Sequence, residues 1–310
     1  DPSSPLLELL TIREVNKLEE KYLHPSIEKL KGNKIMYSWA LIGWGDNPNY
    51  DSVYNESEQQ TKEMISFCHS IAQNNTIPNR GLFEVAAAYT ACMTKDLKKA
   101  KELLSSAEKL TLTSAIKDQW MLTNLLVTIN EKQTIDAAFE EQILPSIQWL
   151  EDKANKDEEW KRFYRNLFTE VIALKYHSQN DVYKEVMSIG VAEKMLGNYY
   201  NSAITFLRTK MNSKDVEKLH AFMLSKSLNK WESYLIKNNS FSKDDVADVA
   251  GTAYIREGNW DNAERWLKQV SPQYYKSETY TLHLAANPFA DLIYDTHAPS
   301  PQDTAIYTKP

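Results

Sequence analysis

The stretch GTAYIREGNWDNAERWLKQVSP, residues 251–272, decides how the rest of the chain is read. Two runs of helical apolar spacing are parted by Glu257-Gly258-Asn259, and Pro272 stops the second run. In the first run Gly251 lets a neighbouring helix come close, and Tyr254 fills the space beside it. In the second, Trp260, Ala263, Leu267 and Val270 form a stripe expected to enter the core, with Ala263 small enough for two helices to cross closely. Just upstream, Asp244 and Asp245 fall at the start of the first helix, where carboxylates suit the positive end of the helix dipole. A helix, a Gly turn, a helix and a Pro stop make a unit that cannot bury its apolar face alone, so neighbours of the same kind are expected.

Such neighbours are present in weaker form. Residues 190–211, GVAEKMLGNYYNSAITFLRTKM, keep Gly190, Gly197, Tyr199, Ala203 and Leu207 in the same order, but Glu193 stands where the first-helix aromatic belongs. Residues 85–110 contain Ala86, Tyr89, Leu97, Ala100, Leu104 and Ala107, with two extra residues between the helices. Residues 125–144 contain Leu126, Ile135 and Ala138. This order of small, aromatic, Gly, aromatic, Ala and large apolar residues resembles the tetratricopeptide repeat. The resemblance spans residues 80–275 and is strongest in the last unit. It implies an all-α fold, a tetratricopeptide-like α-α superhelix. The alanines at 100, 138, 203 and 263 are 38, 65 and 60 residues apart, where the family period is about 34, so the middle repeats are expected to be irregular. The segment LPSIQWLEDKANKDEEWKRFYRNLFTEVIALKYH, residues 144–177, supplies a long helix for the wide gap. The competing reading is an irregular helical bundle that contains one such hairpin.

Outside the repeats, LLELLTIREVNKLEEKYL, residues 6–23, is an amphipathic helix ended by His24-Pro25. Further helices are expected over 25–31 and through KIMYSWALIG. The expected organisation is one helical domain over 1–280, with irregular helices over 1–79 and repeat-like pairs over 80–280, followed by an extended, loop-like tail over 281–310. The NPF…D…H wording of that tail resembles the C-terminal ends of large secreted helical-repeat proteins of Bacteroidetes, which implies an extracytoplasmic setting, periplasmic or at the cell surface.

Composition limits the partners. The 310 residues are 42% hydrophobic and 25% charged, with net charge -6. That is a globular balance with no overall pull toward phosphate backbones, so nucleic acid is not expected. The longest apolar stretches, IMYSWALIGW and WMLTNLLVTI, fall short of the roughly 20 residues that span a bilayer. A soluble chain is expected. It opens DPSSP, without Met or a basic and apolar leader, and reads as a trimmed mature protein or an excised fragment. Cys68 and Cys92 are too few for a disulfide framework and leave the compartment undecided.

The search for catalytic chemistry returns nothing specific. Nucleophile elbow and His-Glu-x-x-His motifs are absent from the sequence. Asp291, Asp295 and His297 have ligand-like spacing, but a Pro-rich tail holds a metal poorly, and polar residues of a docked segment are the reading preferred. Cys68 and His69 are adjacent on a helix and point about 100° apart, so a core thiol beside a half-exposed imidazole is expected. The polar loop GWGDNPNYDSVYNES, residues 43–57, fails as a calcium loop, because counting from Asp46 puts Pro48, Asp51 and Ser57 where ligand, Gly and Glu belong. Glu158-Glu159 and Asp244-Asp245 read as solvated helix faces. Trp39, Trp120, Trp149, Trp160 and Trp231 read as knobs between helices. No enzyme, cofactor or metal is expected.

What the repeat resemblance implies instead is a concave face made by the first helix of each pair, where a protein or peptide partner binds. Carried over residue by residue, that face presents Lys184, Met187, Val191, Lys194 and Met195, then Asp245, Asp248, Thr252, Ile255 and Arg256. Lys184, Lys194, Thr252 and Arg256 are the candidate partner contacts. The positive charge of Lys184, Lys194 and Arg256 in an acidic chain favours an acidic or C-terminal carboxylate ligand, although the Lys/Asn set by which some family members clamp a carboxylate is missing. The plain alternative is ordinary solvated charge. A second functional reading is a carbohydrate- or peptide-handling surface protein with its site near the loop 43–51.

Overall fold

The computed structural model describes Ser4 and residues 6–23, 50–197 and 202–276. The helices expected over 25–31 and in KIMYSWALIG, Trp39, Tyr199, most of the loop 43–51, and Asp291, Asp295 and His297 of the tail lie outside the described residues. Those residues fold entirely as helices and turns, with no strand among them. In chain order the helices are α1 (Leu6–Leu18, continued by a π turn to Leu23), α2 (Tyr50–Ala72), α3 (Arg80–Met93), α4 (Leu97–Ala107) and α5 (Ser114–Glu131). Next come α6 (Ala137–Ala154), α7 (Glu158–Asn166), α8 (Ala173–Ser178), α9 (Val182–Met195) and α10 (Ser202–Lys210). The last are α11 (Ser213–Met223), α12 (Lys230–Lys237), α13 (Lys243–Arg256) and α14 (Trp260–Leu267). The polar run expected as loop as far as Ser57 is already helical at Tyr50.

Short polar side chains start these helices where the chain needs them. Asp96, Asp136, Asp181, Ser242 and Asn259 each accept a backbone N–H of the following first turn, satisfying donors that the helix itself leaves open. At Ser242 the cap is reciprocal, since the Asp245 carboxylate accepts the Ser242 N–H at 2.7 Å. Asp245 thus holds the helix start, while Asp244, also in the first turn, accepts from the Ser271 hydroxyl.

The chain divides into two compact units, residues 1–203 with 227–240, and residues 204–226 with 241–310. In unit 1, α2, α3 and α4 pack in succession and α5 returns against α3; α6 packs on α7, α8 on α9, and α12 on both α6 and α9. Phe83, Ala87, Ala88, Ala91, Leu103 and Leu104 build the core under α3 and α4. Three alanines on one helix let its neighbours come close.

Two details of unit 1 depart from the sequence reading. Ala138, placed at a helix crossing by analogy with Ala100, is exposed. Its helix starts one residue earlier on the Asp136 cap, so that Ile135, Phe139, Ile143, Ile147 and Leu150 take the inner face. The long helix expected within residues 144–177 is not one element, because α6 starts earlier, runs through Pro145 and ends at Ala154, and α7 and α8 follow. Proline removes one backbone donor, yet both Pro145 and Glu141, whose carbonyl loses its bond, are exposed, so the loss falls on the solvent side of the helix. Pro145→Ala is therefore expected to raise the melting temperature, by about 1–3 kcal/mol of restored helix stability. A lower melting temperature in that variant would mean that the ring itself contributes to packing.

Glu193 has a structural role of its own. It is 7% exposed on α9 and accepts the Ser202 N–H at 2.5 Å, the Ala203 N–H at 3.3 Å and the Ser240 hydroxyl at 2.9 Å. A carboxylate at the open N–H groups of α10 satisfies donors and dipole together. Where the repeat pattern calls for a ring, an acid reaches across and caps the next helix.

In unit 2, α13 packs against α14 on one side and α11 on the other. A Cβ on Gly251 would come within 2.6 Å of Leu267 Cδ2, so only a glycine permits this approach without displacement. Tyr254, Ala263 and Val270 are buried, as the stripe predicts. Trp260 departs from the stripe, for it is 67% exposed. It occupies the first position of α14 at the edge of the apolar face, beyond the last turn of α13, and Trp266 takes the buried place instead. The Trp266 indole donates to Glu217 at 2.6 Å and meets the His220 ring edge-on at 5.0 Å.

Candidate interaction surface

Of the four contact residues expected from the sequence, Lys184 and Lys194 lie on α9 in unit 1, and Thr252 and Arg256 on α13 in unit 2. Lys184 turns inward. Its ammonium is 2.7 Å from Glu140 Oε1 and 3.8 Å from Glu232 Oε1, it sits over the Tyr176 ring at 5.8 Å, and its side chain is 15% exposed. Glu140 is fully buried and also accepts the Tyr176 hydroxyl at 2.8 Å. This charge is neutralised inside the fold.

Lys194, in the last turn of α9, donates to the Lys237 carbonyl at 2.7 Å. The Arg256 guanidinium reaches the Arg208 carbonyl at 3.4 Å, and Lys175 of α8 ties to the Lys132 carbonyl past the end of α5. In each case a cation at one helix end meets a carbonyl at another, where the dipole is negative. Lys194 and Arg256 remain exposed around these bonds. Thr252 donates to its own helix, to the Asp248 and Val249 carbonyls at 3.0 and 3.1 Å.

Thr252 and Arg256 share a face of α13 with Ile255, through steps of three and four residues. Gly258, at φ 72, then reverses the chain, its N–H bonded to the Ile255 carbonyl at 3.0 Å and that of Asn259 to the Tyr254 carbonyl at 2.9 Å. Left-handed backbone at this position is what glycine provides. The reversal sets Trp260 beside Ile255, over an open recess of about 390 Å³ lined by Ile255, Trp260, Ala263, Glu264, Leu267 and Lys268. Ile255 is 39% exposed. Lys268 pairs with Glu264 at 2.5 Å, and that bond holds the Glu264 carboxyl below its usual range. The result is an apolar patch with a paired charge on one rim and Arg256 nearby. Trp260 is the member that sequence reasoning assigned to the core; its place directly after a Gly-Asn turn, ahead of the stripe proper, is the signal that distinguishes it.

Other polar groups in the fold serve structure. Burial pushes the thiols of Cys68 and Cys92 up to about 12, so they stay protonated and inert near neutral pH. His69, beside Cys68 in sequence, pairs with the buried Glu84 at 3.0 Å, whose charge also helps to raise the Cys68 thiol. No helix among the described residues is long and apolar enough to cross a membrane.

His220 gives unit 2 a pH dependence. Burial first, and then the Lys243 charge, lower its pKa from the ordinary 6.5, against an opposing pull from Asp244. The unfolded chain then takes up the proton before the folded one, so this contribution to stability is present above about pH 6.5 and declines as the pH falls below it. Thermal unfolding compared at about pH 7.5 and about pH 5.5 is expected to show a drop that His220→Gln reduces. An equal drop in the variant would assign the pH effect to other groups.

No family model matches the chain, and no curated protein or solved structure matches it.

Proposed function

We propose that the protein is a non-catalytic helical-repeat scaffold that captures a protein or peptide segment at the exposed edge of α13 and α14. The observation that carries this reading is Trp260, 67% exposed beside Ile255 over an apolar recess. A large indole left in water at a helix hairpin retains most of its burial free energy for a partner, and Trp is enriched among the residues that dominate binding. Arg256 and Thr252 on the same face favour a segment that brings an aliphatic or aromatic side chain together with a carboxylate.

The scaffold itself is read as a tetratricopeptide-like α-α superhelix with irregular repeats. Supporting this is the recurrence of one spacing in the polar ties between helices: Lys184 to Glu140 spans 44 residues, Lys194 to Lys237 spans 43, Ser213 to Glu257 spans 44 and Arg265 to Glu217 spans 48. A recurrence of 43–48 residues is longer than the family period of about 34. A third helix accounts for the excess, since α10, α11 and α12 lie between Lys194 and Lys237, and α11, α12 and α13 between Ser213 and Glu257.

Panning a random-peptide display library against the intact chain tests the proposal. Enriched sequences are expected to pair an apolar anchor with Asp, Glu or a free C-terminus. Trp260→Ala is expected to weaken their binding by about 2 kcal/mol, roughly thirtyfold, with helical circular dichroism and melting temperature unchanged. Equal binding by the variant would place the contact surface elsewhere.

A further inference from the structure

Helix α1 carries apolar side chains on two faces. On the inner face Thr11, Val15 and Leu18, continued by Tyr22 of the π turn, are buried, and Val15, Leu18 and Tyr22 join the core under α3 and α4. The outer face carries Leu6, Leu9 and Leu10, which are 59%, 61% and 55% exposed, with Ile12 beside them at 47%. Steps of three and four residues set Leu6, Leu9, Leu10 and Arg13 in one row, and Lys17 extends it by one turn. A single exposed leucine is ordinary, but a contiguous apolar group on one helix face marks an interaction site. Both acids of α1 are occupied: Glu8 accepts the Asn79 amide at 2.9 Å, and Glu14 pairs with Lys17 at 2.5 Å. The exposed cation next to the leucines is Arg13.

We propose that this face seats α1 on a lipid bilayer surface, with the leucines below the headgroups and the Arg13 guanidinium at the lipid phosphates. Size and charge select the occupant. A second copy of the chain, or another protein, needs roughly 20–30 residues a side for a stable contact, and this row offers four apolar side chains and two cations. A bilayer has no fixed shape to be matched, and a helix lying in its interface is held by the apolar area it buries and by cations that meet the phosphates. The arginine stem lies along the apolar row while its head stays at the level of the headgroups. Since the inner face of α1 remains in the core, a folded unit presents the helix, and so small an apolar area gives weak, reversible attachment. α1 belongs to unit 1 and the edge of α13 and α14 to unit 2, so either surface can fail without the other.

Co-sedimentation of the intact chain with phosphatidylcholine vesicles containing phosphatidylglycerol tests this. The bound fraction is expected to rise with lipid, to fall about tenfold or more when Leu9→Glu and Leu10→Glu are combined, and to fall severalfold in Arg13→Glu. Circular dichroism and melting temperature should stay those of the parent, since all three side chains are exposed. A polarity-sensitive fluorophore on Leu9→Cys should shift to the blue when vesicles are added, an effect that lost packing alone would not produce. No vesicle binding, equal binding by either charge variant, or no fluorophore shift would overturn the assignment. So would a dimer, seen by light scattering, that Leu9→Glu disperses, because the face would then belong to a second copy.

Discussion

Replacing Lys184 with Met is expected to destabilise unit 1 by about 3–5 kcal/mol, the usual cost of removing one partner from a buried ion pair. The cause is the group left behind. Glu140 is fully buried, and without Lys184 it keeps the hydrogen bond from the Tyr176 hydroxyl at 2.8 Å, with Glu232 also losing its cation. The Met side chain fills the space of the lysine stem, so little of the loss comes from packing. Adding Glu140→Gln removes the uncompensated charge, and the double variant is expected to recover at least half of the loss. Urea unfolding followed by circular dichroism measures both. If Lys184→Met unfolds within about 0.5 kcal/mol of the parent, as an exposed site would, the lysine is free for a ligand and the buried pair is not a structural element.

Gly190→Ala is the second change with a large expected effect, roughly 2–4 kcal/mol, combining overpacking with a lost buried hydrogen bond. A Cβ at this position would lie 2.1 Å from Asn239 Oδ1 and 2.7 Å from its Cγ. Asn239 is buried, and its amide donates to the Met187 carbonyl at 3.0 Å. The methyl group therefore displaces a buried polar side chain from its hydrogen bond to Met187. Gly251→Ala is expected to cost less, because the contact there is with Leu267, a half-buried side chain with rotamers available to it. The urea midpoints of the two variants rank these sites; the reverse order would mean that the Asn239 amide moves aside freely.

Much of the last hairpin was legible in the sequence. Gly251, Tyr254, Gly258 and Ala263 behave as their types and spacing require, because close approach, aromatic filling and a left-handed turn are local demands that few residues satisfy. Periodicity gives the angular position of a side chain on its own helix, but not the place where the neighbouring helix stops. That is why Trp260 reads as core and stands in water, and why Ala138 reads as a crossing and lies outside. Polar residues are harder still. Lys184 and Glu193 look like a groove cation and a broken motif until their partners are known, and the partners lie 44 residues away for Lys184 and 9 to 47 away for Glu193. Pro145 sits inside α6 with its ring and Glu141 both on the exposed side. For the contact surface, Thr252 and Arg256 were legible as a helix face, whereas the exposed indole that completes it was not.

The central claim is that the edge formed by Ile255 and Trp260 is where a partner docks. Site-specific photo-crosslinking in the native source measures it most directly, with a benzophenone amino acid placed at Ile255 and, as a control, at Phe163, an exposed aromatic of unit 1. The account predicts a discrete crosslinked protein from position 255 that is absent from position 163 and is lost when Trp260→Ala is added. Crosslinks of equal yield and pattern at both positions, or none at 255 while 163 captures a partner, would contradict it.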